Sequence, residues 1–348
     1  MMNYRELLEW GQALLREKDI ADAGIDAWYL LSYAYGLDRV HYLMDRNEIP
    51  EDEKGPTEET LYRRLIRRRG MGEPVQYLTG EADFMGLTFK VSPAVLIPRQ
   101  DTELLAEKAL DYLAAFKREH GRPADVLDMC TGSGCIILSL AKLGPVGRCA
   151  GADISQPALA VAAENRERLA LSDQVALLSS DLFKVFQTPE SFPGKASADG
   201  DFPDRPSEET ASKLPEETAS RLYGETASEP SEADGPYGVL SFPRTFDLIV
   251  SNPPYIASKV IPTLMREVRD HEPVLALDGS EDGLAIYRRI ALEAPACLNA
   301  GGQLMLEIGY DQGESVPAIL AAQGFTDIRV LKDLSGNDRV VTAGRPHR

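Results

Sequence analysis

Apolar positions recur at helical spacing over the first 70 residues: Leu7, Leu8, Leu14 and Leu15, then Trp28, Leu31 and Tyr35, then Leu61, Leu65 and Ile66. One apolar face per segment predicts a small helical bundle. Over 74–98 the pattern changes. Val75–Leu78, Leu87–Val91 and Val95–Ile97 read as short strands around Gly80, Gly86 and Pro93, which predicts a hairpin bridging two domains. Pro98-Arg99-Gln100-Asp101-Thr102-Glu103 then opens a helix expected to run to about Phe116, with Asp101 as N-cap and acids in its first turn.

From Pro123 onward strand and helix patterns alternate. Predicted strands are Asp125–Met129, Cys149–Asp153, Val175–Ser179, Phe246–Ser251, Gln303–Ile308, 326–331 and 338–342. Helices are expected at Cys135–Leu143, Pro157–Leu169, 283–297 and 314–322. That alternation predicts an α/β domain with a mostly parallel sheet. Expected boundaries are 1–73 for the helical domain, 74–98 for the hairpin linker and 99–348 for the α/β domain.

One segment, 187–245, breaks the alternation. Glu-Glu-Thr-Ala-Ser at 208–212 returns at 216–220, and Glu-Thr-Ala-Ser at 225–228. With too few apolar residues for a core, it reads as a disordered acidic insert. It holds 12 Asp and Glu against 5 Lys and Arg, so a large share of the −18 net charge is local. The acidic balance still argues against direct nucleic-acid binding, which rests on cations neutralising phosphates. The five arginines Arg63, Arg64, Arg67, Arg68 and Arg69 stand out. They either complement a helix C-terminus or form a patch that docks a macromolecule. No apolar run approaches the roughly 18 residues needed to cross a membrane. Met1–Glu6 has no basic segment leading into an apolar one, so no secretory leader is expected. The four cysteines, Cys130, Cys135, Cys149 and Cys297, show no metal-ligand spacing. No metal is expected, and a reducing cytoplasm is.

The candidate chemistry sits where the apolar run Leu248-Ile249-Val250 stops at Asn252-Pro253-Pro254-Tyr255. Two prolines remove two backbone donors and fix two φ angles, giving a stiff loop at the carboxyl end of a strand. In open α/β sheets ligands bind at such ends. The Asn252 side-chain oxygen and a proline carbonyl can together accept both hydrogens of a planar –NH2. The Tyr255 ring can stack on the same group. An amide nitrogen held in this way presents its lone pair to an electrophile, which is catalysis by positioning. An ordinary Pro-Pro turn is the competing reading. Cys130-Thr131-Gly132-Ser133-Gly134 is a glycine loop between a strand and a helix, and Asp153 ends the next strand, placed to accept two ribose hydroxyls. This cradle alone does not choose between NAD and S-adenosylmethionine. Ile137, however, stands where a dinucleotide fingerprint wants a small residue.

Glycine loop, ribose-type acid and Asn-Pro-Pro-Tyr, in that order, resemble the S-adenosylmethionine-dependent methyltransferases of planar nitrogens. More of the chain resembles the HemK/PrmC family of protein-glutamine N5-methyltransferases. The likeness is carried by Pro74–Gly80, Leu96–Arg99, Asp101-Thr102-Glu103, Asn252–Tyr255, Glu267, His271-Glu272-Pro273, Asp282-Gly283-Leu284, Leu306–Gly309 and Lys332–Gly336. It implies a helical N-terminal domain that helps hold a peptide chain release factor. It also implies a seven-stranded, Rossmann-like methyltransferase domain with one antiparallel strand. S-adenosylmethionine is the implied cofactor, held by Cys130, Thr131, Gly132, Ser133, Gly134, Asp153 and Asn252, with Asp181 or Leu182 near the adenine. The implied substrate is the glutamine of the release factor's Gly-Gly-Gln loop, met by Asn252, Pro253, Pro254 and Tyr255. A cytoplasmic monomer is expected. Gln100 replaces a second proline, Leu182 an aromatic, and Cys130 the first glycine of the loop, so Cys130 is expected to have an ordinary negative φ. The rival readings are an adenine-N6 methyltransferase of DNA or RNA, and a non-catalytic partner protein of the same fold.

Overall fold

The computed structural model of the chain describes residues 2–50, 55–186 and 244–346. The insert expected at 187–245 therefore lies outside the described residues, apart from Arg244 and Thr245. The first helices are α1 (Tyr4–Glu17), α2 (Ala23–Tyr35), α3 (Arg39–Asp45) and α4 (Gly55–Gly70). A capping box starts α1, with the Asn3 side chain accepting from the Glu6 N–H at 2.9 Å and Glu6 accepting from the Asn3 N–H at 3.0 Å. Leu7, Leu15, Leu30, Leu31, Tyr62 and Ile66 form the core of this bundle. Three of the five arginines make internal ion pairs. Arg63 lies over the Trp10 ring and pairs with Glu59. Arg68 pairs with Glu73. Arg69 is buried between Asp26 at 2.6 Å and Glu267 at 2.8 Å. Arg64 and Arg67 are exposed and make no ion pair among the described residues.

The linker differs from its sequence pattern. Val75–Thr79 is a helix, α5, and not a strand. Pro74 fixes its entry and Gly80, at φ +78°, stops it. Only β1 (Glu81–Phe84) and β2 (Leu87–Lys90) make the hairpin, and Val95–Ile97 is not a strand. The next helix, α6 (Gln100–His120), has Arg99 at its N-cap, so Asp101 lies in the first turn, where it pairs with Arg339. It runs past Phe116 because its last turn is solvated and polar, and it ends at Gly121 (φ +67°).

Seven strands make the main sheet: β3 (Ala124–Met129), β4 (Val146–Asp153), β5 (Val175–Ser179), β6 (Phe246–Ser251), β7 (Leu298–Glu307), β8 (Thr326–Lys332) and β9 (Asp338–Gly344). Their order is β5-β4-β3-β6-β7-β9-β8. All pairs are parallel except those of β9, which runs against both β7 and β8. Helices α7 (Cys135–Leu143) and α8 (Gln156–Arg168) carry the chain outward from β3 to β5. The chain then returns to pair β6 on the other side of β3. The carboxyl ends of β3 and β6 thus form the point where strand order reverses, where open α/β sheets open a crevice.

All six residues of β6 are buried. Leu248 and Val250 pack toward α6 and α7, while Ile249 packs on the opposite face against Tyr287 and Ile290 of the helix Ala285–Cys297. Each such side chain contributes about 1.5–3 kcal/mol by leaving water. The strand is therefore rigidly held, and so is the loop that leaves it.

Candidate active site

The two candidate loops start side by side, because Met129 of β3 pairs in register with Ser251 of β6. The Ser251 hydroxyl donates to the Met129 carbonyl at 2.6 Å and fixes the crossing. After Met129 the chain turns through Cys130 at φ +62°. The negative φ expected for this residue is thus wrong. The sharp exit from β3 takes the left-handed region with a cysteine in place of a glycine, and Cys130 is partly buried there. Gly132 and Gly134 follow, also left-handed. A side chain at Gly132 would meet nothing within 4 Å, so the backbone there faces open space. One at Gly134 would strike Leu138 at 2.9 Å.

Asp153 organises this loop. Its Oδ2 accepts the Gly132 N–H at 2.8 Å and its Oδ1 the Ser155 N–H at 2.9 Å. Burial raises its pKa, and these backbone donors act against the rise. A carboxylate offers about four acceptor positions, so two remain for a ligand. Beneath the loop, Asp128 is fully buried. Its Oδ2 accepts from the Thr131 hydroxyl at 2.7 Å, and its Oδ1 has no partner among the described residues. Burial lifts this carboxyl to about 7, although hydrogen bonds from Thr131 and the Ile137 N–H oppose it.

Asn165 is a site residue that the sequence pattern did not single out. Lying in α8, it accepts the Lys90 N–H at 2.6 Å and donates to the carbonyls of Lys90 and Ser133, both at 2.9 Å. It thereby ties the glycine loop to the hairpin. Its only signal is a polar residue on the buried face of an amphipathic helix.

The other wall is the Asn252–Tyr255 loop. Asn252 donates through Nδ2 to the Thr102 hydroxyl of α6 at 3.2 Å, which leaves its Oδ1 for the cavity. The loop carbonyls differ in what meets them. That of Tyr255 accepts from Gln312 at 3.1 Å. That of Pro254 faces Gly279 so closely that a Cβ there would stand 2.9 Å away. Among the described residues no donor takes the Pro253 carbonyl. Gly283 (φ +74°) wedges beneath, where a Cβ would come within 2.4 Å of the Tyr255 carbonyl oxygen. The backbone of Asp282-Gly283-Leu284 thus fixes the loop by close approach.

Between the loops lies a cavity of about 210 Å³. Of the site residues expected from the sequence, Cys130, Thr131, Gly132, Ser133, Asp153, Asp181, Leu182, Asn252 and Pro254 line it. Three expected residues do not. Gly134 lies at the start of α7, Pro253 is buried, and Tyr255 packs among the core residues behind the loop. The stacking expected of the Tyr255 ring therefore has no counterpart in the cavity wall. Arg99 and Arg289 line the cavity without having been anticipated. Arg289 and Lys184 each bind Asp181 at 2.7 Å. Burial opposes ionisation of Asp181, but these two hydrogen bonds outweigh it and hold the carboxyl below the usual range. The cavity fits a nucleoside-bearing cofactor: open backbone at Gly132, spare acceptors on Asp153, and apolar Leu182, Ile154 and Ile286 for a flat ring. Among the described residues no cluster of His, Cys, Asp and Glu could hold a metal ion, and no helix is long and apolar enough to cross a membrane.

Two family profiles match the chain. The PrmC N-terminal domain covers residues 6–80, and the ribosomal protein L11 methyltransferase (PrmA) profile covers 105–191. The release factor glutamine methyltransferase of Geobacter sulfurreducens is 36% identical over 97% of this chain and 95% of its own. That of Clostridium acetobutylicum is 34% identical over 99% of both. A solved structure, the release factor-specific protein-(glutamine-N5) methyltransferase of Alicyclobacillus acidocaldarius, is 26% identical. It covers 74% of this chain and 100% of that one, with a TM-score of 0.35.

Proposed function

The chain belongs to the release factor glutamine methyltransferase family, and on that premise we propose that it methylates the side-chain amide nitrogen of a glutamine in a peptide chain release factor. One observation carries this reading: the Met129–Ser251 register sets a glycine cradle and an Asn-Pro-Pro-Tyr loop on one cavity. Bound there, S-adenosylmethionine supplies an electrophilic methyl on a sulfonium. Asp153 would hold the ribose hydroxyls with its two free acceptor positions, and Cys130–Gly134 would let the ligand approach the backbone. Leu182 and Asp181 border the space for the adenine. Asn252 Oδ1 and the Pro253 carbonyl would accept the two hydrogens of the substrate amide and leave its nitrogen lone pair facing the cavity. The helical domain at 1–73 would help hold the release factor, and the chain would work as a cytoplasmic monomer.

Substitution of Asn252 tests the chemistry. Asn252→Ala removes one acceptor and should lower kcat by about 10²–10³-fold, with far less change in release-factor affinity, which rests on a wide interface. Asn252→Asp keeps acceptor oxygens but sets a negative charge beside a cation that disperses in the transition state. It should therefore turn over slowly, yet faster than the Ala variant. Wild-type rates from both variants would mean that the loop is only a turn.

A further inference from the structure

The helical domain meets the α/β domain at two places, and the second lies on the rim of the cavity. The first is α5. Its Leu78 belongs to the bundle core, while Tyr77 beside it packs with Val95, Ala158 and Val161. A body held at one point can pivot about it. The second place is Arg69, the last arginine of α4. Its Nε donates to Asp26 Oδ2 at 2.6 Å and its Nη1 to the Glu73 carbonyl at 3.3 Å, both within the first 73 residues. Its Nη2 stands 2.8 Å from Glu267 Oε2, across the domain boundary. A guanidinium can hold two carboxylates at once because its donors are spread over a planar fork. The backbone backs this contact at Gly72, where φ is +96° and a Cβ would come within 3.0 Å of the Arg266 side chain.

Glu267 belongs to a segment with no apolar core of its own. Over 257–276, between the Asn-Pro-Pro-Tyr loop and the helix Ala285–Cys297, Glu272 is the one buried residue. Without apolar anchors, polar contacts must fix the course of this segment. Its ends are tied by the Ile256–Asp278 bridge and by the Ser258 hydroxyl on Asp278. Between them two acids reach outward: Glu272 takes Arg99, and Glu267 takes Arg69. Directly after Glu272, Pro273, Leu275 and Ala276 line the cavity. We infer that the Arg69–Glu267 ion pair positions this rim, holding it against the helical domain so that a release factor gripped by that domain meets the cavity mouth at a fixed place. The inference rests on the reading of the helical domain as part of the release-factor grip. Both are positioning residues and touch no reacting atom. The pair is asymmetric. Arg69 without Glu267 keeps its buried partner Asp26, so the bundle is indifferent to the loss. The Glu267 side chain is 35% exposed and needs no partner to be solvated. Removing Glu267 therefore removes the tie and little else.

The test uses the full chain with Glu267→Ala, with Glu267→Gln, and with the paired change Asp26→Leu and Arg69→Met, which removes the buried ions together and orphans neither. The first readout needs no ligand: backbone hydrogen exchange over 257–276, followed by mass spectrometry. Exchange should quicken by about three- to tenfold in Glu267→Ala, as expected of a partly exposed charge-assisted pair, while the melting temperature holds. Glu267→Gln keeps an acceptor oxygen for Arg69 and should stay near wild type. Adding Glu267→Ala to the paired change should quicken exchange no further, because the tie is already gone. In turnover, Glu267→Ala should raise KM for the release factor by a similar factor with kcat unchanged, and Glu267→Gln should restore it. Unchanged exchange over 257–276 in folded Glu267→Ala overturns the inference. So does a fall in melting temperature with KM unmoved, the mark of an ion pair that is merely structural. Exchange involves no substrate, so a wild-type chain that methylates no glutamine would strike the functional reading and leave the tie itself to be judged by exchange.

Discussion

Asp153 offers a prediction whose size can be worked from the structure. Its carboxylate already takes two backbone N–H groups, from Gly132 and Ser155. The two ribose hydroxyls of the cofactor would fill the remaining acceptor positions. Two hydrogen bonds to a charged acceptor, net of those lost to water, are worth about 2–4 kcal/mol. Asp153→Ala should therefore weaken S-adenosylmethionine binding by about 30- to 1,000-fold. Part of that loss would come from loosening the Gly132 turn and not from the ribose. A ligand pair separates the two: S-adenosylhomocysteine and its 2′,3′-dideoxy analogue, measured by titration calorimetry against wild type and variant. The wild type should bind the dideoxy ligand far more weakly than the parent. In Asp153→Ala the two ligands should bind alike, because the partner of the diol is gone. Asp153→Asn should lie between, since it keeps one acceptor oxygen but turns an –NH2 toward a backbone N–H. An equal penalty for the dideoxy ligand in wild type and Asp153→Ala would show that Asp153 supports the loop without touching the ribose.

Two further outcomes follow from buried polar groups. Asn165→Ala should lower the melting temperature by several degrees and weaken cofactor binding as well. It orphans the Lys90 N–H and the Ser133 carbonyl under the glycine loop, at about 1–3 kcal/mol for each buried group left unpaired; an unchanged melt would contradict this. Asp128 and Glu307 are both raised to about 7, so the stability of their protonated forms is complete below their unfolded values near 4 and lost as pH rises through 7. Urea unfolding between pH 5 and 8 should therefore show a downward slope that is shallower in Asp128→Asn, and parallel slopes would refute it.

Much of the site was legible because it rests on strand ends. The buried run Leu248–Val250 and the prolines after it located β6 and its loop without ambiguity, and Asp153 followed from its place at the end of β4. Readings that failed did so for physical reasons. Val75–Leu78 has strand-like composition, but Pro74 and Gly80 fix a single helical turn between them. Cys130 is left-handed because the path of the chain out of β3 outweighs its side-chain preference. Tyr255 packs against the core behind the loop, as a large ring at the end of a buried strand can. Thr102 and Asn165 escaped notice as individuals. Each is a single polar residue within an apolar pattern, and only the three-dimensional pairing of α6 with β6, and of α8 with β2, gives them partners.

The most direct measurement locates the transferred methyl. The full chain is incubated with labelled S-adenosylmethionine and, in separate reactions, with a purified release factor, tRNA, rRNA and DNA. Products are digested and mapped by tandem mass spectrometry. The account predicts one methyl on the side-chain nitrogen of the glutamine in the Gly-Gly-Gln peptide of the release factor, formed about 10²–10³-fold more slowly by Asn252→Ala, and none on the nucleic acids. Methyl found on adenine, or on the release factor anywhere but that amide, would contradict it.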